Sequence, residues 1–439
     1  MHKGSFLALM PLIVFVTLYF SGSLYLGDFY AIPALVIFVF SLFVAFLQFP
    51  KVSFSEKVKS FARGSGDENI LIMILIFLLA GGFSSVTKEI GAISSTINFA
   101  LTYISTDFII AGLFLVACFI STSLGTSVGT IVALAPIAVG LESSIPGAMG
   151  MALAAVIGGA MFGDNLSFIS DTTIAATRTQ GVGMREKFKV NFRIVFPMAI
   201  LCVLIYWWLG YQSFSSIADL QVGDYELIKV VPYALVFLLA LIGINVIWTL
   251  GIGILSAMFI GFATTSIDFI GSLQAINAGF AGMFELSILC LIIGGVVGVI
   301  RLNGGIDFLL YQVSKRAKSG KSAEIGIAIM TFLVDICIAN NTIAIVIVGP
   351  LAKEIGDKNN VEPKRVASIL DTISCCAQGL IPYGAQMLAA LAAAKLYFDQ
   401  QGNPEAMLSP LAVMKYLYYP VLIGVATLLF IVFNKRSKA

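Results

Sequence analysis

Two aspartates stand seven residues apart inside an otherwise apolar run, in Gly163-Asp164-Asn165-Leu166-Ser167-Phe168-Ile169-Ser170-Asp171-Thr172-Thr173. A carboxylate in the hydrocarbon zone of a bilayer costs roughly 2.5–3.5 kcal/mol, so it needs a partner or a purpose. Around Asp164 and Asp171, the side chains of Asn165, Ser167 and Thr172 add amide and hydroxyl oxygens. Together with carbonyls freed at a helix break, such oxygens suit a hard cation, here Na+ at Asp164 and Asp171. An aspartate in that place could also exchange a proton as its surroundings change. The competing expectation is that these groups cap two half-helices, with Asp164 or Asp171 as an N-cap.

Further along, a second polar interruption carries Gln378 and Tyr383, where an offset of 213 sets Ala377 against Asp164 and Gln378 against Asn165. One interruption holds carboxylates, the other amides and a phenol, which suits one cation site plus a contact to an uncharged or organic substrate. Thr126 and Ser127 form the polar tip of one apolar segment, and Asn340 with Asn341 the tip of another; all four are substrate-binding candidates, as are Gln378 and Tyr383. Asp371, about two turns before Gln378, and Asp335, just before the Asn340 tip, are candidates for carrying a proton or for a structural hydrogen bond. Glu285 and Asp107 fall near span ends. Trp207, Trp208 and Trp248, with Tyr416, Tyr418 and Tyr419, read as an interfacial aromatic belt. The six cysteines lie in apolar segments without metal-ligand spacing, and the single histidine, His2, excludes histidine chemistry. No cofactor is expected beyond Na+ and H+ as coupling ions.

These residues need a membrane around them. Of 439 residues, 59% are hydrophobic and 11% charged, against about 45–50% and about 25% in soluble domains. That excludes a soluble enzyme and a disordered chain. A net charge of +2 offers no basic field to a nucleic acid. Hydropathy marks segments near 6–26, 31–49, 70–87, 107–141, 148–177 and 190–210, then 229–246, 248–264, 281–300, 323–350, 366–394 and 415–434. The first is read as a retained span rather than a signal peptide. Gly81-Gly82, Lys88 and Gly91 match Gly294-Gly295, Arg301 and Gly304; Pro136 matches Pro350, and Pro197 matches Pro420. The expectation is an all-α polytopic membrane protein of two repeats: 1–212, an extracytoplasmic linker at 213–228, and 229–439.

Basic residues orient the repeats. Lys51, Lys57, Lys59 and Arg63 precede the third segment, but its copy has none before it and Arg301, Lys315, Arg316, Lys318 and Lys321 after it. Arg178, Arg185, Lys187, Lys189 and Arg193 follow the fifth segment, where the copy carries only Lys395 among the acids Asp399 and Glu405. Loops basic in one half are poor in basic residues in the other, so the topology is inverted, with both termini cytoplasmic in a cell inner membrane. Parity then makes 107–141 a re-entrant hairpin or two short spans and 148–177 a broken crossing, giving each repeat about five spans, a hairpin and a broken helix. That is the architecture of secondary transporters, with the site at the repeat interface.

The stretch Gly163–Ser167 through Ser170–Thr173 resembles the G-D-K-L-S-P-x-S-D-T-T hallmark of the NhaC-type sodium/proton antiporters. Gly125-Thr126-Ser127-Val128-Gly129-Thr130 and Leu380-Ile381-Pro382-Tyr383 resemble that family's G-T-S-W-G-T and L-I-P-W. The resemblance implies Na+ or H+ coupling at Asp164, Ser167, Asp171 and Thr172. It also departs: Asn165 replaces the hallmark lysine, Phe168 the proline, and Asn340-Asn341 a more acidic tip. Relatives in this group also carry amino acids, and malate with lactate. Two functions therefore stand side by side: Na+/H+ antiport, or Na+- or H+-coupled transport of an amino acid or small carboxylate. The expected partners are the lipid bilayer, Na+ and H+, with a small organic substrate and a homodimer both compatible. An intramembrane aspartyl protease is disfavoured because its G-x-G-D pattern is absent, and a passive channel suits broken helices at a central site less well.

Overall fold

The structure is a computed structural model that describes residues 4–26, 33–168, 170–214, 223–314, 319–403 and 406–433. Among these residues the secondary structure is helical, without strands. After a 3-10 turn at Phe6–Leu9 come α1 (Met10–Leu26), α2 (Ala34–Leu47), α3 (Phe54–Ser65), α4 (Glu68–Glu89), α5 (Ala92–Tyr103), α6 (Ile109–Leu124), α7 (Ser127–Ser144), α8 (Met149–Leu166), α9 (Asp171–Gln180) and α10 (Met184–Phe214). Then follow α11 (Leu227–Leu241), α12 (Val246–Ala263), α13 (Phe269–Gly282), α14 (Phe284–Leu302), α15 (Gly305–Ser314), α16 (Gly320–Ile338), α17 (Asn341–Lys358), α18 (Pro363–Leu380), α19 (Ala385–Gln400), α20 (Pro410–Met414) and α21 (Tyr418–Phe433). His2, residues 215–222 of the expected linker, Lys315, Arg316, Lys318, Glu405 and the basic tail lie outside the described residues. Among the described residues, six helical stretches are long and apolar enough to cross a bilayer: Ile70–Glu89, Ser127–Ser144, the interrupted Met149–Gln180, Met184–Phe214, Val246–Ala263 and Phe269–Leu302. The chain is an all-α polytopic membrane protein.

Local sequence sets the interruptions. Gly125 ends α6 in the left-handed region (φ 71°), and the Thr126 hydroxyl then accepts the Gly129 N–H to start α7. The second tip repeats the device with less suitable residues. Ala339 takes the left-handed position (φ 54°) that glycine occupies in the first, and the Asn340 side chain accepts the Ile343 N–H. A non-glycine residue there costs roughly 1–2 kcal/mol, a strain held at the site itself. In the first break, Ser170 caps α9 by accepting the Thr173 N–H at 3.1 Å. In the second, Gly384 precedes α19 without a side-chain cap.

Helix ends correct the repeat register. Ser127 and Asn341 open α7 and α17, Met149 and Pro363 open α8 and α18, and Asp171 and Ala385 open α9 and α19; 341 − 127, 363 − 149 and 385 − 171 all give 214. Around the breaks the offset is therefore 214 rather than 213. Asp164 corresponds to Gln378, Thr172 to Gln386 and Ser121 to Asp335.

The broken helices α8 and α18 lie in the interior, with nearly every side chain buried, and their hairpins pack beside them: α6 and α7 on α8, α16 and α17 on α18. The halves also cross reciprocally, α3 on α14 and α13 on α4. Both crossings are backbone on backbone. A Cβ on Gly279 would lie 2.1 Å from the Gly81 carbonyl oxygen, and one on Gly64 would lie 2.2 Å from that of Gly294. Around this frame, exposed Phe192, Leu204, Trp207, Trp208 and Trp248 form an apolar exterior.

Candidate functional site

Four helix N-termini, those of α7, α9, α17 and α19, open onto one cavity of about 680 Å³. Thr126 and Ser127 line it from α7, Asp171 and Thr172 from α9, Asn340 and Asn341 from α17, and Gln386 from α19. Asp164 and Gln378, at the C-terminal ends of α8 and α18, complete the polar wall, and Ile72, Met73 and Ile76 of α4 form an apolar one. Eight of the residues read from sequence thus meet in one space: Asp164, Asp171, Thr172, Thr126, Ser127, Asn340, Asn341 and Gln378.

Of the two aspartates only Asp164 caps a helix, and not one that the sequence suggested. Asp164 is buried and its Oδ1 accepts the Ser127 N–H at 3.0 Å, so it caps the hairpin helix α7 and neither half of its own broken helix. Asp171, one residue inside α9, is exposed into the cavity. The carbonyl of Asp164 accepts from the Ser170, Thr172 and Thr173 hydroxyls at 2.7, 3.2 and 3.3 Å. The carbonyl of Asn165 accepts from Lys187 Nζ and Asn191 Nδ2 at 3.0 and 2.9 Å. These freed carbonyls, expected as cation ligands, are already satisfied. The oxygens left for a cation belong to side chains: Asp164, Asp171, Thr172 and Ser127.

The second half answers with amides. Gln378 Nε2 donates to the Ala339 carbonyl at 3.1 Å and to Gln386 Oε1 at 2.8 Å, and Gln386 Nε2 donates to Ser127 Oγ of the first half at 3.0 Å. A carbonyl can only accept, so Ala339 fixes the orientation of Gln378, and Gln378 fixes that of Gln386.

Five predicted residues lie elsewhere. Asn165 turns away from the cavity: its Oδ1 accepts the Tyr419 hydroxyl at 2.8 Å and its Nδ2 donates to Asp371 Oδ2 at 3.1 Å. Asp371 does not face the cavity either; it forms a 2.7 Å ion pair with Lys187, both fully buried. Ser167 is buried beside the break. Asp335 is fully buried, and neither carboxylate oxygen has a hydrogen-bond partner among the described residues. Tyr383 donates to the Ile336 carbonyl at 2.8 Å and lines a neighbouring cavity of about 750 Å³. That second space runs from Asp67 and Arg301 inward and shares Met73, Asn340 and Ala385 with the first.

Two readings from sequence need revision. Lys187, counted with the basic loop, is an interior cation donating to Asp371, to the Asn165 carbonyl and to Thr173 Oγ1 at 2.7 Å. The signal was present: the buried stripe Asn191, Val195, Ala199, Cys202, Tyr206, Gly210 of α10 lands on Lys187 when extended one turn back. Tyr419, placed in the aromatic belt, is fully buried against Asn165. Among the described residues no three His, Cys, Asp or Glu side chains gather as a metal-binding group.

Polar cavities reached between broken helices and hairpins, inside an apolar helical body, define a membrane transporter. A Na+/H+ antiporter family model matches residues 4–211 and again 211–434, so the chain belongs to that family. It is 26% identical over 353 residues to the Na+/H+ antiporter NhaC of Bacillus subtilis, covering 73% of this chain and 76% of that protein. It is 22% identical to the malate-2H+/Na+-lactate antiporter of the same organism, over 84% of each. Among solved structures, the YdaH transporter of Alcanivorax borkumensis aligns over 97% of this chain and 98% of its own at 13% identity and TM-score 0.42.

Proposed function

We propose that this protein is a Na+/H+ antiporter working by alternating access, with Na+ and H+ competing for the carboxylates of Asp164 and Asp171, and that it is not an enzyme. The observation that carries the reading is the buried Asp164 carboxylate, tied by one oxygen to the Ser127 N–H and facing Asp171 and Thr172 across the cavity. A carboxylate so far from water needs a cation or a proton when the cavity closes. Family membership supports antiport.

The two repeats, 1–212 and 229–439 in inverted orientation with cytoplasmic termini, supply the moving bodies. In this reading the Asp67–Arg301 cavity is the open route, and it faces the cytoplasm by the distribution of basic residues. On the other side the spaces are smaller, about 270 Å³ among Phe77, Val132, Ala389 and Leu396 and about 440 Å³ beside Lys88 and Gln400. The site also has room for an organic solute, and the relative that exchanges malate and lactate supports that second reading. The test is everted vesicles holding a preformed proton gradient. Na+ should collapse it with the wild type, and Asp164→Asn should abolish the effect while the protein remains in the membrane. A gradient untouched by Na+ in the wild type refutes the antiport.

A further inference from the structure

The cavity has two chemically opposite poles, and only one of them suits a cation. At one pole lie Asp164 and Asp171 of the first half. At the other pole is the N-terminus of the 18-residue helix α17. Asn341, 7% exposed and lining the cavity, accepts the Thr342 N–H through Oδ1 at 3.0 Å. A backbone N–H only donates, so the other atom of that amide is Nδ2, and it has no partner among the described residues.

The equivalent position in the first half shows what such an end attracts. There the α7 N-terminus holds the carboxylate of Asp164; the register of 214 puts Gln378 at the matching place, and Gln378 donates to the tip carbonyl. The α17 N-terminus therefore has the same positive end and no acidic side chain of its own to fill it. An unpaired amide donor at a helix N-terminus suits a carboxylate. Two aspartates at the opposite pole suit an ammonium. Between the poles, Ile72, Met73 and Ile76 form an apolar wall. It continues into the neighbouring cavity as Ile338, Ile343 and Leu388.

We infer that the organic solute of this transporter is a zwitterionic α-amino acid with an apolar side chain, its carboxylate at Asn341 and the α17 N-terminus, its ammonium at Asp164 and Asp171. The inference rests on the cation reading of Asp164: Na+ and the ammonium are like charges, and the two aspartates at that pole let it hold one of each. Opposite charges at the mouth, Asp67 and Arg301, present a zwitterion with no net barrier.

The experiment is thermal unfolding of the purified full-length protein, with saturating Na+ and without Na+, titrated with L-leucine and L-methionine. Two truncated probes accompany them: isoamylamine, which is leucine without its carboxylate, and 4-methylpentanoate, which is leucine without its amine. The amino acids should raise the midpoint and both truncated probes should fail. Asn341→Leu should keep a Na+ response, which reports an intact fold, and both Asn341→Leu and Asn341→Asp should weaken leucine by at least about tenfold, since each removes a charge-assisted hydrogen bond. Asn341→Asp, which adds a like charge, should weaken it more. A Na+ response without any amino-acid response overturns the inference and leaves the cation reading standing. Unchanged leucine affinity in both variants overturns the carboxylate placement. A leucine response that ignores Na+ counts instead against the cation reading.

Discussion

Replacing Lys187 with methionine should be one of the most damaging single changes to this protein, and removing its partner as well should undo part of the damage. Lys187 Nζ uses its three donors on Asp371 Oδ2 (2.7 Å), the Asn165 carbonyl (3.0 Å) and Thr173 Oγ1 (2.7 Å). Methionine keeps much of the stem volume and loses all three. Two losses are small, because the Asn165 carbonyl retains Asn191 Nδ2 and Thr173 Oγ1 still donates to the Asp164 carbonyl. The third is not. Asp371 is fully buried and its Oδ1 already lacks a partner, so only the amides of Asn165 and Asn191 would remain to hold its charge. Stranding one member of a buried pair costs about 3–5 kcal/mol, and those two amides place this case near the lower end.

Asp371→Leu alone strands the ammonium and should cost a similar amount. In Lys187→Met/Asp371→Leu no charge is buried; what remains is two amides short of an acceptor, about 1–2 kcal/mol. The double variant should then be more stable than either single one, with a coupling energy of roughly 4–5 kcal/mol. Denaturant titration of the purified protein, run as a double-mutant cycle, reads this directly. Wild-type stability in Lys187→Met, or a double variant weaker than both singles, would refute the charge-pair reasoning.

Two further expectations follow from close contacts. Gly163→Ala would set a Cβ 2.1 Å from Ser121 Oγ and 2.4 Å from the Ser121 carbonyl carbon, forcing α6 off α8; it should cost at least about 1–3 kcal/mol, seen as lost folded yield, and normal yield with normal unfolding would count against this packing. Tyr419→Phe removes the 2.8 Å bond to Asn165 Oδ1 and leaves that oxygen buried without a donor; a loss of about 1–3 kcal/mol is expected, and unchanged thermal stability would mean that Tyr419 does not hold Asn165.

Much of the frame was legible because composition and periodicity act locally. The hydropathy segments recur as helices, and 107–141 and 148–177 are interrupted where polar residues broke the pattern, at Gly125-Thr126 and between Leu166 and Asp171. The repeat was visible in glycine and proline, but its register was off by one at the breaks, since those residues mark turns loosely while helix ends mark them closely. What stayed hidden was pairing across the chain. Nothing local couples Lys187 to Asp371, Tyr419 to Asn165, or Gln386 to Ser127, and a lysine beside four basic neighbours reads as a solvated loop until the helix carrying it is followed inward. For the same reason Asp371 could be seen as unusual in sequence but not as already neutralised.

That neutralisation bears on how coupling would arise. With Asp371 balanced by Lys187, the charge left to vary in the cavity is that of Asp164 and Asp171. On the proposed reading, while the cavity is open Asp171 is hydrated, Asp164 keeps the Ser127 N–H, and an empty site is tolerable. In the occluded passage between the two open states that hydration is lost, and an unpaired charge taken out of water costs several kcal/mol even after relaxation. A few kcal/mol is enough to make passage of the unloaded site hundreds of times rarer than passage of a loaded one. On the proposed reading, exchange of Na+ for H+ then needs no signal between distant sites. The same aspartates must be filled on the way out and filled again on the way back, by whichever cation the open side supplies.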